Sequence, residues 1–300
     1  TPYTKEEERM DMLFRFVQYA ERQVVLFDAL EDAAFKEIYD LDGAGTLKNL
    51  EAEVIKQRKE DEFEKKLEDI RSRFKRSVIS KIVDFVDPDL SYLENKLITK
   101  DEYDASKIFP VSAHWYYGED YLLGSDKEVS YKASEIHSQY VMKDHRGRKL
   151  FLTIFHGLFF IADIKHQYKS ETIVLPDTAH KLFGPFGDAI QKMNVFRDKV
   201  IRTGNKEFDK EFVVYGDDEM ESKKVLTDNL IRRITDFRKK SGNKVYLSFI
   251  NSKVNLAIPL KQDLFEPPVF GSMLNYDAIH ENYKYLQLAT YIVKDLGLND

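Results

Sequence analysis

Between Lys5 and Tyr39 the apolar residues Met12, Phe16, Tyr19, Val24, Phe27, Leu30 and Phe35 recur mostly at steps of three and four. That period predicts a long helix. The "DGAG" punctuation at 42–45 ends it, Thr46 offers an N-cap, and a second helix is predicted from about Leu47 through Ile70 and on toward Phe85. Two antiparallel helices joined by a short loop form a helical hairpin. Within "KQRKEDEFEKKLEDIRSRFKR" the apolar positions are Phe63, Leu67, Ile70 and Phe74. This narrow, heptad-like seam suits coiled-coil packing against one partner helix, with every other face in water. Oligomerisation through the hairpin is compatible with such a seam.

Beyond "DFVDPDL" the period changes from helical to alternating, so the chain reads as residues 1–86, a helical hairpin, followed by 87–300, an α+β domain with an antiparallel sheet and packed helices. "EVSYKASEIHSQYVM" and "KLFLTIFHGLFFIADI" flank "KDHRGRK", where Gly147 supplies a turn, and predict two or three antiparallel strands. "DTAHKLFGPFGDAIQKM" reads as an interrupted helix. Phe212 to Tyr215 reads as a short strand. "GDDEMESKKVLTDNLIRRITDFRKKSG" reads as one helix capped by Asp217 or Asp218 and ended by Gly242, burying Val225, Leu226, Ile231, Ile234 and Phe237. Val245, Leu247 and Phe249, then Val254, Leu256 and Ile258, alternate about a hairpin turn at Asn251 and Ser252. A C-terminal amphipathic helix, "YDAIHENYKYLQLATYIVKDLGL", closes the chain.

Composition narrows the function classes. The 300 residues are 43% hydrophobic and 33% charged, and the charge is concentrated in the first 86, as a solvated helical arm requires. A net charge of −6 gives no general attraction to phosphate backbones, and acidic residues interleave the basic ones of the arm, so no nucleic-acid partner is expected. The absence of cysteine removes disulfides, thiolate catalysis and cysteine-held metals. No stretch approaches the roughly 18 apolar residues of a membrane span, so no spanning segment is expected.

"YDLDGAGTLKNLE" places Asp40, Asp42, Gly45 and Glu51 at positions 1, 3, 6 and 12 of a calcium loop. Ala44 and Lys48 occupy two of the remaining ligand positions, so a hairpin turn is expected there, with no metal and no cofactor. In "WYYGEDYLLG" the adjacent acids Glu119 and Asp120 are candidate acid–base residues, but on an extended chain they point opposite ways and a surface turn with aromatic flanks is expected. Glu135 and His137 lie two apart on a predicted strand, share a face with Gln139, and form a usable carboxylate–imidazole pair. His156, before Gly157, reads as a hydrogen-bonded core or edge histidine. No phosphate loop, nucleophile elbow or dinucleotide fingerprint is present.

Two resemblances follow from particular segments. "RFVQYAERQVVLFDALEDAAF" with "LDGAGTLKNLEAE", about residues 9–72, resembles a helical N-terminal piece of Bacteroidetes-type phosphoenolpyruvate carboxylase. Where that family carries a histidine-bearing "TAHPT" catalytic segment this chain reads "RSRFKRSVISKIV", so carboxylase activity is not expected. "VISKIVDFVDPDLSY", "YYGEDYLLG", "IFHGLFFIADI", "FDKEFVVYGDDEMESKKVLT", "VYLSFINSKVNLAIP" and "DLFEPPVFGS", over about 73–298, resemble a bacterial family catalogued as domain of unknown function 3137. That resemblance implies an α+β domain, often preceded in relatives by a membrane hairpin that is not expected in this sequence, and a cytoplasmic location at the face of the inner membrane.

The combined expectation is a non-catalytic binding or scaffold module with a protein or membrane-associated partner. The alternatives are an enzyme acting through Glu119, Asp120, Glu135 or His137, and a calcium-responsive hairpin using Asp40, Asp42 and Glu51.

Overall fold

A computed structural model describes residues 61, 65–143, 146–178, 200–261, 263–267 and 276–298. The chain divides into two compact units, Thr1–Pro88 with Phe265–Lys284, and Asp89–Leu264 with Tyr285–Asp300. Of the first unit, residues 65–86 are helical, with a π turn over Lys75–Ile79 leading into α1 (Ser80–Val86). Ile70, Phe74, Val78, Ile79, Ile82 and Val83 are buried, so the seam of the second predicted helix continues to that point. The first helix of the expected hairpin, the 42–45 loop and Asp40, Asp42 and Glu51 lie outside the described residues.

Among the described residues the second unit is built on nine strands in a single antiparallel sheet, ordered β1-β2-β3-β4-β9-β8-β5-β7-β6. In sequence these are β1 (Ser91–Leu93), β2 (Trp115–Asp126), β3 (Val129–Lys143), β4 (Lys149–Asp163), β5 (Thr172–Pro176), β6 (Val200–Ile201), β7 (Phe212–Gly216), β8 (Tyr246–Ile250) and β9 (Lys253–Pro259). The α+β class with a large antiparallel sheet is the one the alternating patterns predict. Between β1 and β2 a short helix, α2 (Lys100–Ala105), starts with a reciprocal capping box in which Thr99 and Glu102 satisfy each other's free backbone donors. It delivers Tyr103 to the sheet, where the ring packs at 5.0 Å from both Phe109 and Phe159, and Tyr103 Oη hydrogen-bonds Ser138 Oγ at 2.7 Å. Ile136, Phe155 and Tyr246 complete this cluster, so one face of β3 and β4 is closed by aromatic packing.

Two expectations are corrected. The predicted single helix over "GDDEMESKKVLTDNLIRRITDFRKKSG" is two: α4 (Glu219–Val225), capped by Asp218, and α5 (Asp228–Ser241), capped by Thr227, which accepts the Leu230 N–H at 3.2 Å; α3 is the one-turn Phe208–Glu211. A second hydroxyl cap is available in mid-pattern, and Leu226 leaves the helical region at φ −84°, ψ 65° to bury its side chain. Gly242 ends α5 in the left-handed region, as expected. Glu119 and Asp120 are not in a surface turn. They sit inside β2, where the register slips between Glu119 and Leu122 and Asp120 takes φ 61°, which turns its carboxylate inward to 1% exposure.

The hairpin at Asn251 is observed, with Ile250 opposite Lys253 and Asn251 at φ 55°. The chain ends in α6 (Tyr276–Leu296), which buries Leu286, Ala289, Ile292, Val293 and Leu296 at helical spacing.

Candidate functional site

The alternation of β3 puts Glu135, His137 and Gln139 on the face opposite the aromatic cluster. The register places Tyr117 and His156 on either side of His137, in β2 and β4. A row of polar side chains therefore crosses three strands. The rings of His137 and His156 stack with centroids 4.8 Å apart, and the Tyr117 hydroxyl is hydrogen-bonded to Nδ1 of His137. Gln139 Nε2 lies 3.3 Å from His137 Nε2. A neutral ring satisfies both neighbours, with Nδ1–H donating to Tyr117 and Nε2 accepting from Gln139. Burial, and after it the neighbouring His156, lowers the pKa of His137 and favours that form, against an opposing pull from Asp263.

His156 Nε2 lies 3.1 Å from Glu135 Oε1 and 2.8 Å from Asp263 Oδ1. Asp263 follows β9 and reaches the site because β9 pairs with β4 and the Leu260 N–H donates to the His156 carbonyl at 3.0 Å. The next residue, Leu264, donates its backbone N–H to the second oxygen of Glu135 at 2.5 Å. Gly157 carries φ 147° between these partners. Burial pushes the Glu135 carboxyl up to about 9, with Asp263 and Asp120 adding to the rise and the Leu264 amide opposing it. These surroundings favour the protonated form of the Glu135 carboxyl at neutral pH.

Of the four residues singled out by sequence, Glu135 and His137 stand in this row. Glu119 is half-buried and opposite Glu135 in the register, and Asp120 acts on Glu135 through its charge while its carboxylate accepts from the Tyr92 hydroxyl. Burial, then Asp120, raises the Tyr92 pKa and keeps it a donor. Asp263 and Tyr117 are additions that no sequence pattern marked, and His156, expected as a hydrogen-bonded core or edge histidine, is the hub of the cluster.

The raised carboxyl has a measurable consequence. Between the ordinary value of 4.5 and the folded value of about 9, the folded chain holds one proton more than the unfolded chain at Glu135. This contribution to stability is complete below the lower value and falls as pH rises through the window, at up to about 1.4 kcal/mol per pH unit. In metal-free buffer, urea midpoints from about pH 5 to about pH 8 are expected to fall less steeply for Glu135→Gln than for the parent chain. Equal slopes would show that Glu135 ionises normally.

The same face continues outward to the free end of the β2–β4 meander. Trp115, Tyr117 and Phe151 are exposed there, Trp115 and Phe151 with ring centroids 6.3 Å apart, and Met142 and Leu150 are exposed on the opposite face of the β3–β4 ribbon. The tip that joins the strands reads "KDHRGRK", and Lys143, Arg146, Arg148 and Lys149 are all exposed. A surface that is aromatic, aliphatic and cationic over so short a length is unusual on a chain of net charge −6.

An antiparallel α+β unit with a buried carboxylate–histidine cluster is the class of protein this geometry defines. A family model described as a protein of unknown function, DUF3137, matches residues 153–298, from within β4 to the end of α6. No curated protein matches. Among solved structures, a crystal structure of the mycobacterial trehalose monomycolate transport factor A, TtfA, aligns with 73% of this chain and 93% of its own at 7% identity. Its TM-score is 0.35, a likeness too slight to carry fold or function. Among the described residues no helix is long and apolar enough to cross a membrane.

Proposed function

We propose that this protein is a non-catalytic binding module that docks on an anionic lipid surface through the free end of β2, β3 and β4. One observation carries the reading: exposed apolar side chains on both faces of a thin ribbon adjoin a tip with four exposed cations. A protein groove covers one face of such a ribbon. A headgroup layer can surround it, with Trp115, Tyr117 and Phe151 turned toward the acyl chains and the lysine and arginine stems reaching up to lipid phosphates. Local charge sets the contact, because charges beyond about 8 Å are screened at physiological salt.

Trp115 is the one tryptophan in the chain and stands in the proposed contact, so its fluorescence reports binding directly. Vesicles containing phosphatidylglycerol are expected to shift its emission to shorter wavelength, and vesicles of phosphatidylcholine alone are not. Lys143→Ser with Lys149→Ser is expected to weaken binding about 30-fold, at about 1 kcal/mol per cation near the surface. An unchanged emission spectrum with anionic vesicles would overturn the reading. An enzymatic role for the Glu135 and His137 face is the second reading, favoured by a carboxylic acid held neutral beside an imidazole. In that case Glu135→Gln would abolish an activity and leave vesicle binding intact.

A further inference from the structure

We infer that Glu135, His156 and Asp263 form a binding site for a single divalent transition-metal ion of the zinc class. Each offers one ligand atom, and the three atoms lie within 4.8 Å of one another. The contacts of 2.8 Å and 3.1 Å from His156 Nε2 to the two carboxylates are close to the roughly 3.3 Å that separates ligand atoms around a tetrahedral zinc with bonds of about 2.0–2.2 Å. For these two pairs a few tenths of an ångström of opening admits the ion, and the two carboxylate oxygens lie within 4.8 Å of each other.

The electrostatic setting gives an independent reason. Glu135 is 5% exposed and faces the charges of Asp263 and Asp120, yet among the described residues neither Glu135 nor Asp263 has a lysine or arginine partner. A carboxylate held away from water beside other acids is stable when a cation joins it. Among the described residues, the group that lies between the two carboxylates is the imidazole of His156. The ion takes the place of the close contacts that His156 Nε2 makes with the two carboxylates, and His156 turns its lone pair on Nε2 to it.

The surrounding shell is already set. The Leu264 N–H holds the far oxygen of Glu135 and leaves the near one to bind, while the His137 ring lies flat against His156 and fixes its plane. The ligands come from β3, from β4 and from the segment after β9, so the site exists only when the sheet is assembled. One imidazole nitrogen among oxygens suits zinc, cobalt or manganese better than calcium or magnesium, which prefer oxygen alone. Asp263 is the exposed member, so the remaining coordination position opens toward solvent and can take water or an anionic ligand.

The test uses the full chain, stripped with chelator and titrated with Co2+ while visible absorption is followed, then with Zn2+ in a calorimeter. One equivalent is expected to bind, with the absorption of a low-symmetry cobalt site, and Zn2+ is expected to displace it. Asp263→Asn, an isosteric change at a side chain 61% exposed, is expected to weaken binding about ten- to hundred-fold, and His156→Ala to do the same or more. His166→Ala, at an exposed histidine outside the cluster, is expected to leave binding unchanged. Absence of cobalt absorption together with absence of zinc heat at millimolar ion would overturn the inference. So would binding that survives Asp263→Asn, because the ion would then sit elsewhere.

Discussion

Gly157→Ala is expected to cost this protein about 4 kcal/mol, much of the stability of an ordinary domain. Two costs add. The residue holds φ 147°, which side chains rarely adopt, and a Cβ placed on it would lie 2.2 Å from the Ile258 carbonyl oxygen and 2.7 Å from the Leu260 nitrogen. Both atoms are backbone, so no rotamer change relieves the contact; β4 and β9 must move apart. Their separation breaks the Leu260 to His156 hydrogen bond and withdraws Asp263 from His156 and Leu264 from Glu135. The variant is therefore expected to show a lower urea midpoint and to lose cobalt binding together. Gly204→Ala is the control: its φ is 85° but nothing lies within 4 Å of the added carbon, so only the backbone strain of about 1 kcal/mol remains. If the two variants unfold at the same denaturant concentration, the close approach of β9 to Gly157 is not what holds the site together.

The second large effect lies in the other unit. Lys75 is 3% exposed in the π turn, and its Nζ stands 3.1 Å from Glu266 Oε1, while Arg71 Nε is 3.0 Å from Oε2 of the same carboxylate. Removing one partner of a buried ion pair costs about 3–5 kcal/mol, because the other charge stays out of water. Glu266 Oε1 makes this ion pair without a hydrogen bond of good geometry, which places Glu266→Ala at the lower end, about 3 kcal/mol. Lys75→Met combined with Glu266→Gln removes both charges and is expected to regain most of the loss. Urea unfolding of the parent, the single and the double variant decides it. A double variant no more stable than Glu266→Ala would show that the lysine ammonium is not the source of the cost.

How much of this was legible depends on the range over which each feature is determined. The strands β3 and β4, the turn at Gly147 and the hairpin at Asn251 follow from alternation and turn residues within about 15 positions, so pattern alone reached them. The break in the helix before Thr227 is not legible because amphipathic spacing runs straight through it; the non-helical backbone of Leu226 and the Leu230 N–H donated to Thr227 distinguish two helices from one. Glu119 and Asp120 were misplaced for a similar reason. A register slip between two long strands is a property of the pair, and β2 by itself carries no mark of it.

The site divides along the same line. Sequence by itself determined that Glu135, His137 and Gln139 share a face, because a strand repeats every two residues, and that a turn at Gly147 joins the two long strands. It also determined the α+β class, from the change of period after the first 86 residues. Only the tertiary structure decided that His156 stacks on His137, that Asp263 arrives from beyond β9, and that burial raises the Glu135 carboxyl. Those three facts depend on which strand lies beside which. Hydrogen bonding between distant segments sets that order, and it leaves no period in the chain to read.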